Sequence, residues 1–165
     1  MILLTDAHYR DDDTSRVAGL LVADWSDSAP TRELALEAGP VAPYEPGSFY
    51  KRELPCLLAL LSTLDAPPDC VVVDGHAWVQ PGRPGLGAHL HAQTGIPVVG
   101  VAKRAFIDGG AIPVLRGESA SPLYVTAAGC DPVAAAESVR GMAGPHRFPA
   151  LLTWVDHLAR GLPTR

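Results

Sequence analysis

An aspartate closes one apolar run and a lysine closes the next. The first reads Val71-Val72-Val73-Asp74-Gly75-His76; after a glycine-rich segment, the second reads Gly100-Val101-Ala102-Lys103. Three consecutive valines suit a strand buried on both faces. Open α/β sheets place ligand chemistry at the carboxyl ends of their strands, so Asp74 and Lys103 are expected at one sheet edge. An acid and a base at neighbouring strand ends suit a charged, phosphate-handling site. Asp74 taken alone is equally explained as a residue that caps the next turn.

The elements that must position these residues follow from periodicity. Met1 to Leu4 predicts a short strand whose end carries Asp6, and Arg16 to Trp25 and Arg32 to Glu37 predict two more. Gly19 marks a bulge or a close approach within the second. Asp11-Asp12-Asp13 falls in the connection and reads as a solvated turn. Ser48 through Leu64 carries Phe49, Leu54, Leu57, Leu58, Leu61 and Leu64 at helical spacing, stopped by Pro67-Pro68, with Glu53 in its first turns. Pro55 fits only if the regular helix begins near it. A strand from Cys70 to Asp74, a helix over Leu86 to Thr94 and a strand from Ile96 to Val101 come next. Ala111 to Leu115 and Pro122 to Thr126 form a hairpin. Asp131 and Pro132 open a helix to Met142, and Pro149 to Ala159 forms the last.

Three strands followed by alternating helix and strand imply an α/β chain with a mixed central sheet and helices on both faces. That order resembles the ribonuclease H-like fold, whose acids sit on the first strand, first helix, fourth strand and last helix. Here those elements offer Asp6, Glu53, Asp74 and Asp156. Singly, Glu53 and Asp156 also read as ordinary helix-surface charge.

Composition sets the outer bounds. The chain has 165 residues, 47% hydrophobic and 19% charged, which fits a single domain spanning 1–165 with a real core. No apolar run is long enough to span a bilayer, and Met1-Ile2-Leu3-Leu4 leads straight into an acidic segment, so a cytoplasmic location without membrane contact is expected. The net charge of −5 argues against nonspecific adhesion to nucleic acid, although a cluster of carboxylates lowers that sum without removing a local basic stripe. Cys56, Cys70 and Cys130 lack metal-ligand or redox spacing and are expected as small buried hydrophobes.

Longer motifs resemble one family, the endonuclease V nucleases, which cut DNA or RNA near deaminated adenine (inosine). Asp6 with Tyr9 is similar to the family's Asp-x-x-Tyr. Pro43-Tyr44-Glu45-Pro46-Gly47, running on to Arg52-Glu53, resembles its Pro-Tyr-x-Pro-Gly with a nearby Arg-Glu. Asp74-Gly75, then Pro81, Arg83, Gly85-Leu86 and His89, ending in Ile96-Pro97-Val98-Val99-Gly100-Val101-Ala102-Lys103, resembles the longest signature, Asp-Gly through His-Pro-Arg-Arg-x-Gly-Leu-Ala-x-His to Ile-Pro-x-Ile-Gly-Val-Ala-Lys. Arg147, Pro149, Thr153 and Asp156 supply a weaker C-terminal match.

The resemblance implies a Mg²⁺-dependent endonuclease, with Mn²⁺ able to substitute, serving repair or processing of a DNA or RNA substrate. It makes Asp6, Glu53, Asp74, Lys103 and Asp156 the catalytic set. Asp6, Asp74 and Glu53 are the metal ligands, since hard oxygen donors suit these ions, and Asp156 reaches the ion or its waters. Lys103 sets a compact positive charge beside the scissile phosphate or the attacking water. Tyr44, Pro46 and Gly47 become a rigid wedge that helps extrude the base. Gly75, Gln80, Arg83, Gly85 and His89 complete the nucleic-acid contacts, with the glycines at 75, 85 and 87 letting backbone amides approach a flipped base. Tyr44 also reads as a core-packed residue of a proline-rich turn.

Departures cluster near recognition. Gln80 stands where the family has histidine, Gly82 where it has the first arginine, and Glu45 where the wedge is apolar; His76-Ala77 replaces a polar-Gly pair. With Asp6 so close to its first residue, the chain reads as a shortened, divergent member. His76 is a substitute for the missing histidine or a turn-packed ring. Three alternatives stand beside the inosine-directed enzyme. One is a non-catalytic nucleic-acid binder using Lys51, Arg52, Arg83, Lys103 and Arg104. Another is a ribonuclease H-like nuclease for a different structured or damaged substrate. The last is an interaction module that keeps the acids by descent. Monomer and weak dimer are equally open.

Overall fold

The computed structural model describes residues 1–12, 14–39, 50–106 and 110–164. Strands β1 (Ile2–Tyr9), β2 (Ser15–Val22) and β3 (Arg32–Ala38) precede helix α1 (Tyr50–Leu61). Strand β4 (Cys70–Asp74), a ribbon of β5 (Trp78–Gln80) and β6 (Arg83–Pro84), helix α2 (Leu86–Thr94) and strand β7 (Val98–Ala102) follow. Strands β8 (Ile112–Val114) and β9 (Leu123–Ala128) and helices α3 (Pro132–Gly141) and α4 (Ala150–Arg160) complete the order.

Seven strands form one mixed sheet in the order β3-β2-β1-β4-β7-β9-β8. β1, β4 and β7 run parallel, and the flanking strands pair antiparallel. Side-chain alternation splits the core by face. Leu3, Val71 and Val73 pack with Leu54, Leu57 and Leu60 of α1 and with Leu86 and Leu90 of α2. Ile2, Leu4 and Val72 pack on the opposite face with Val139 of α3 and with Leu151 and Val155 of α4. The architecture is the expected mixed sheet with helices on both faces.

Several local expectations are corrected. β1 does not stop at Asp6 but runs on to Tyr9, because β2 keeps pairing with it as far as Tyr9↔Ser15. Gly19 is a close approach and not a bulge: it pairs in register with Thr5, and a methyl there would stand 3.0 Å from Leu3 Cδ1 and Leu60 Cδ2. α1 begins five residues before Pro55, so that proline lies inside the regular helix. The glycine-rich segment after Asp74, for which the sequence predicts no strand, contains the β5–β6 ribbon. Cys56 is buried as expected, but Cys70 is only half-buried and Cys130 is exposed.

Asp11 and Asp12 are exposed as a solvated turn requires, and Asp12 accepts from the Thr14 amide and hydroxyl; Asp13 lies outside the described residues. Asp131 caps α3 as its sequence implied, accepting from the Ala134 amide at 2.9 Å with Pro132 in the first turn. No described helix is long and apolar enough to cross a membrane.

Candidate active site

The parallel β1–β4 ladder fixes the first two acids. Its last pair is Thr5↔Val73, so Asp6 and Asp74 occupy the next rung, on strands that run about 4.8 Å apart. By alternation both follow Leu4 and Val72 toward the α4 face, where Asp156 stands within hydrogen-bonding reach of a protonated Asp6. Glu53 arrives from α1 on the other side. One cleft is lined by Asp6, Tyr9, Glu53, Asp74, Gly75, Asp156 and Arg160. A contiguous hollow adds Lys103 and Phe148 to Asp6, Asp74 and Asp156. Four elements widely separated in the chain thus bring four carboxylates to one sheet edge.

The electrostatics are those of crowded acids. Burial, then Asp74, pushes the Asp6 carboxyl up to about 7, against the opposing pull of the Ala7 amide, which donates to it at 2.8 Å. Glu53 is pushed well above its ordinary value by burial and then by Asp6 and Asp74. Its Oε2 is buried and accepts no hydrogen bond from the described residues. Asp74 is solvent-open as a residue, yet the protein packed round its carboxyl still raises it, with Lys103 opposing. Asp156 accepts from Arg160 Nε at 2.8 Å, one helical turn later.

This donor set fits a hard divalent cation: all oxygen, mutually repelling, and including a buried carboxylate oxygen that no described group satisfies. In the present rotamers no three described acidic, histidine or cysteine side chains meet at one coordination point. Asp156 is drawn to Arg160 and Asp6 to the Ala7 amide, so coordination requires side-chain rotation at these positions.

The remaining candidates divide. Gly75 lines the cleft with φ +113°, open space where a methyl would project, and its amide on the Val101 carbonyl at 3.0 Å. Gln80 and Arg83 pair across the ribbon and are exposed; neither lines the carboxylate cleft. Gly85 and Gly87 are buried and do not line the carboxylate cleft. A methyl on Gly85 would stand 2.6 Å from the His76 carbonyl oxygen, and one on Gly87 2.8 Å from Ala77 Cα. Both instead let α2 dock on the 75–77 segment, where the Ala77 carbonyl accepts from the Gly85 and Ala88 amides. His89 stacks on Tyr50 with ring centroids 3.7 Å apart, tying α2 to the start of α1. Tyr44, Glu45, Pro46 and Gly47 lie outside the described residues.

His76 is the turn-packed ring: Nε2 sits 2.8 Å from the Arg104 carbonyl oxygen and Phe106 tilts against it. Trp78 is anchored too, its indole donating to the Ala127 carbonyl at 2.9 Å. Of the proposed basic stripe, Arg52 lies over the Tyr9 ring at 4.6 Å. Three residues escaped the sequence reading. Gly100 admits the 75–77 crossing, since a methyl there would meet the Ala77 nitrogen at 2.5 Å. Phe148 lies under the Lys103 ammonium at 4.6 Å, adjacent to the motif arginine at 147. Arg160 was signalled only by its i+4 spacing from Asp156.

Across known proteins, the Endonuclease V family model matches residues 1–137. The chain belongs to the Endonuclease V family. It is 39% identical over 132 residues to the Endonuclease V of Streptomyces avermitilis, covering 78% of this chain and 55% of that protein. With the Streptomyces coelicolor Endonuclease V the identity is 38% over 129 residues, covering 69% and 55%. The chain therefore spans about half the length of the curated relatives it matches. The crystal structure of the Streptomyces avermitilis protein superposes with a TM-score of 0.78 at 28% identity, covering 97% of this chain and 79% of that one. A Ciona intestinalis Endonuclease V, solved with a 24mer DNA containing an inosine followed by a ribo-adenosine, gives 0.82 at 17% identity and covers 97% and 84%. That second likeness speaks for the fold, which is ribonuclease H-like. The Endonuclease V match of residues 1–137 takes in Asp6, Glu53, Asp74 and Lys103 and ends before Asp156.

Proposed function

We propose that this chain is a metal-dependent endonuclease that hydrolyses a phosphodiester bond in DNA or RNA next to a deaminated base, inosine, in nucleic-acid repair or processing. The observation that carries this reading is the convergence of Asp6, Glu53, Asp74 and Asp156 on one cleft edged by Lys103, in a chain of this family. Asp6, Asp74 and Glu53 would hold Mg²⁺ or Mn²⁺, with Asp156 beside them. The bound ion supplies water activation and neutralisation of phosphate charge.

The protein's own groups do the rest. Burial and mutual repulsion lift the Asp6 carboxyl to about 7 and raise that of Asp74, so both gain from a cation that neutralises them. Lys103, whose charge most opposes the rise at Asp74, is placed to grip a phosphate oxygen there. Gly75 leaves the cleft wall without a side chain, giving a backbone of substrate room to pass.

Departures from the family pattern at Gln80 and Gly82 fall on the exposed ribbon and spare the carboxylates. This supports retained chemistry with altered recognition. The test is cleavage of matched inosine-containing and unmodified oligonucleotides, single- and double-stranded, DNA and RNA, with Mg²⁺ or Mn²⁺. Cutting near inosine supports the full reading. Metal-dependent cutting without inosine preference removes the recognition claim, and binding without cutting removes the catalytic one.

A further inference from the structure

Arg116 is 6% exposed, and its guanidinium is spent on backbone. Nε donates to the Arg140 carbonyl, Nη1 to those of His146 and Arg147, and Nη2 to those of Met142 and Gly144. One planar fork thus gathers five carbonyls from the end of α3 and the loop that leads to α4. The next residue, Gly117, has φ +59°, and a methyl on it would stand 2.4 Å from the Pro145 carbonyl oxygen. The 116–117 segment and the loop therefore touch backbone to backbone.

That loop ends on Lys103. Arg147 Nη2 donates to the Lys103 carbonyl at 2.7 Å and to the Pro122 carbonyl at 2.8 Å. Phe148 presents its ring to the Lys103 ammonium at 4.6 Å and lines the hollow shared with Asp6, Asp74 and Asp156. Lysine is a flexible four-carbon stem, and Lys103 lies on the exposed segment just past β7.

We propose that Arg116 is a positioning residue for Lys103: by caging the 140–147 carbonyls it fixes Arg147 on the lysine's backbone and Phe148 under its ammonium. The inference rests on the proposed nuclease reading for its consequence in catalysis, but the geometric claim stands apart from it. A lysine at position 116 keeps the charge and loses the fork, because three rotatable donors on one nitrogen cannot span five carbonyls held by three guanidinium nitrogens.

The chain has two lysines, Lys51 and Lys103. Reductive ¹³C-dimethylation keeps the charge of both lysines and also labels the α-amine, and the resonance lost in Lys103→Arg is that of Lys103. In the wild-type chain the Lys103 methyl signal is expected upfield of its position in Phe148→Leu, a displacement due to the Phe148 ring. Arg116→Lys is expected to abolish or halve it in a protein that remains folded by circular dichroism. An unchanged Lys103 signal in folded Arg116→Lys overturns the proposal. Should that variant not fold, Gly117→Ala, which presses a methyl on the Pro145 carbonyl of the same loop, is expected to reduce the displacement likewise, and an unchanged signal there overturns the proposal.

Kinetics adds the functional arm. Arg116→Lys should lower kcat about 10-fold with KM nearly constant, and should have no further effect in a Lys103→Met background. A further drop there shows that Arg116 acts through another group and overturns the assignment. Absence of any wild-type cleavage removes the nuclease reading and leaves the NMR result to decide the positioning claim.

Discussion

Asp6 and Asp74 stand on the same rung of the β1–β4 parallel ladder, one step beyond the Thr5↔Val73 pair. The sheet itself therefore presses two carboxylates together, and burial with this repulsion lifts Asp6 to about 7. Between its ordinary 3.8 and about 7 the folded protein keeps a proton on Asp6 that the unfolded chain has released. Stability contributed by that proton is fully present below the lower value and is lost as pH rises through the upper one. Without divalent cation, thermal midpoints should fall across this window, and Mg²⁺ should reverse the fall. Scanning fluorimetry from acid to neutral pH, with EDTA or Mg²⁺, checks it; a flat EDTA profile contradicts it.

Replacing Asp6 by Asn removes the same repulsion. The variant should melt about 3 °C or more above wild type at pH 8 in EDTA, while losing the Mg²⁺-induced shift and all cleavage. A stabilised but inactive protein is the signature of a residue kept for chemistry at the expense of the fold. Loss of stability in Asp6→Asn would show that its hydrogen bond from Ala7 matters more than the crowding.

Glu53 tests the buried member of the set. Its Oε2 accepts no hydrogen bond from the described residues, and burial pushes its carboxyl well up. Glu53→Gln should leave the fold intact, because the amide is isosteric and neutral in the same pocket. It should weaken Mn²⁺ affinity roughly 10–100-fold, measured by titration calorimetry. Unaltered affinity would remove Glu53 from the ligand set.

A methyl on Gly87 would stand 2.9 Å from Ala77 Cβ as well as close to Ala77 Cα. The pattern this chain resembles has glycine at the position of Ala77 and alanine at that of Gly87, so the two sites exchange one methyl. Gly87→Ala alone should cost about 1–3 kcal/mol through overpacking. Adding Ala77→Gly should recover part of it, with a coupling of at least roughly 0.5 kcal/mol. Urea unfolding of both single variants and the double variant measures this, and simple additivity contradicts it.

Much of the fold was legible because its signals are local. The valine run at 71–73 and the Asp131-Pro132 helix start each declare their element. The acids on β1, α1, β4 and α4 were legible because topology alone carries Asp6, Glu53, Asp74 and Asp156 to one edge. What escaped depends on packing between distant segments. Nothing near Gly85 or Gly87 in sequence shows that their missing methyls make room for residues 75–77. Phe148 under Lys103, and Arg116 behind Phe148, join positions far apart in the chain with no periodicity to betray them. β1 overran its expected end because β2 supplies backbone partners that the polar residues after Leu4 do not reveal.

Cleavage of an inosine-containing oligonucleotide by wild type and Asp74→Asn, in Mg²⁺ and after chelation, tests the central claim most directly. The carboxylate site predicts strand scission near inosine by wild type in Mg²⁺, abolished by EDTA and reduced at least about 1000-fold in Asp74→Asn. Scission that survives both EDTA and Asp74→Asn would contradict it, because the chemistry would then lie outside the cleft of Asp6, Glu53, Asp74 and Asp156.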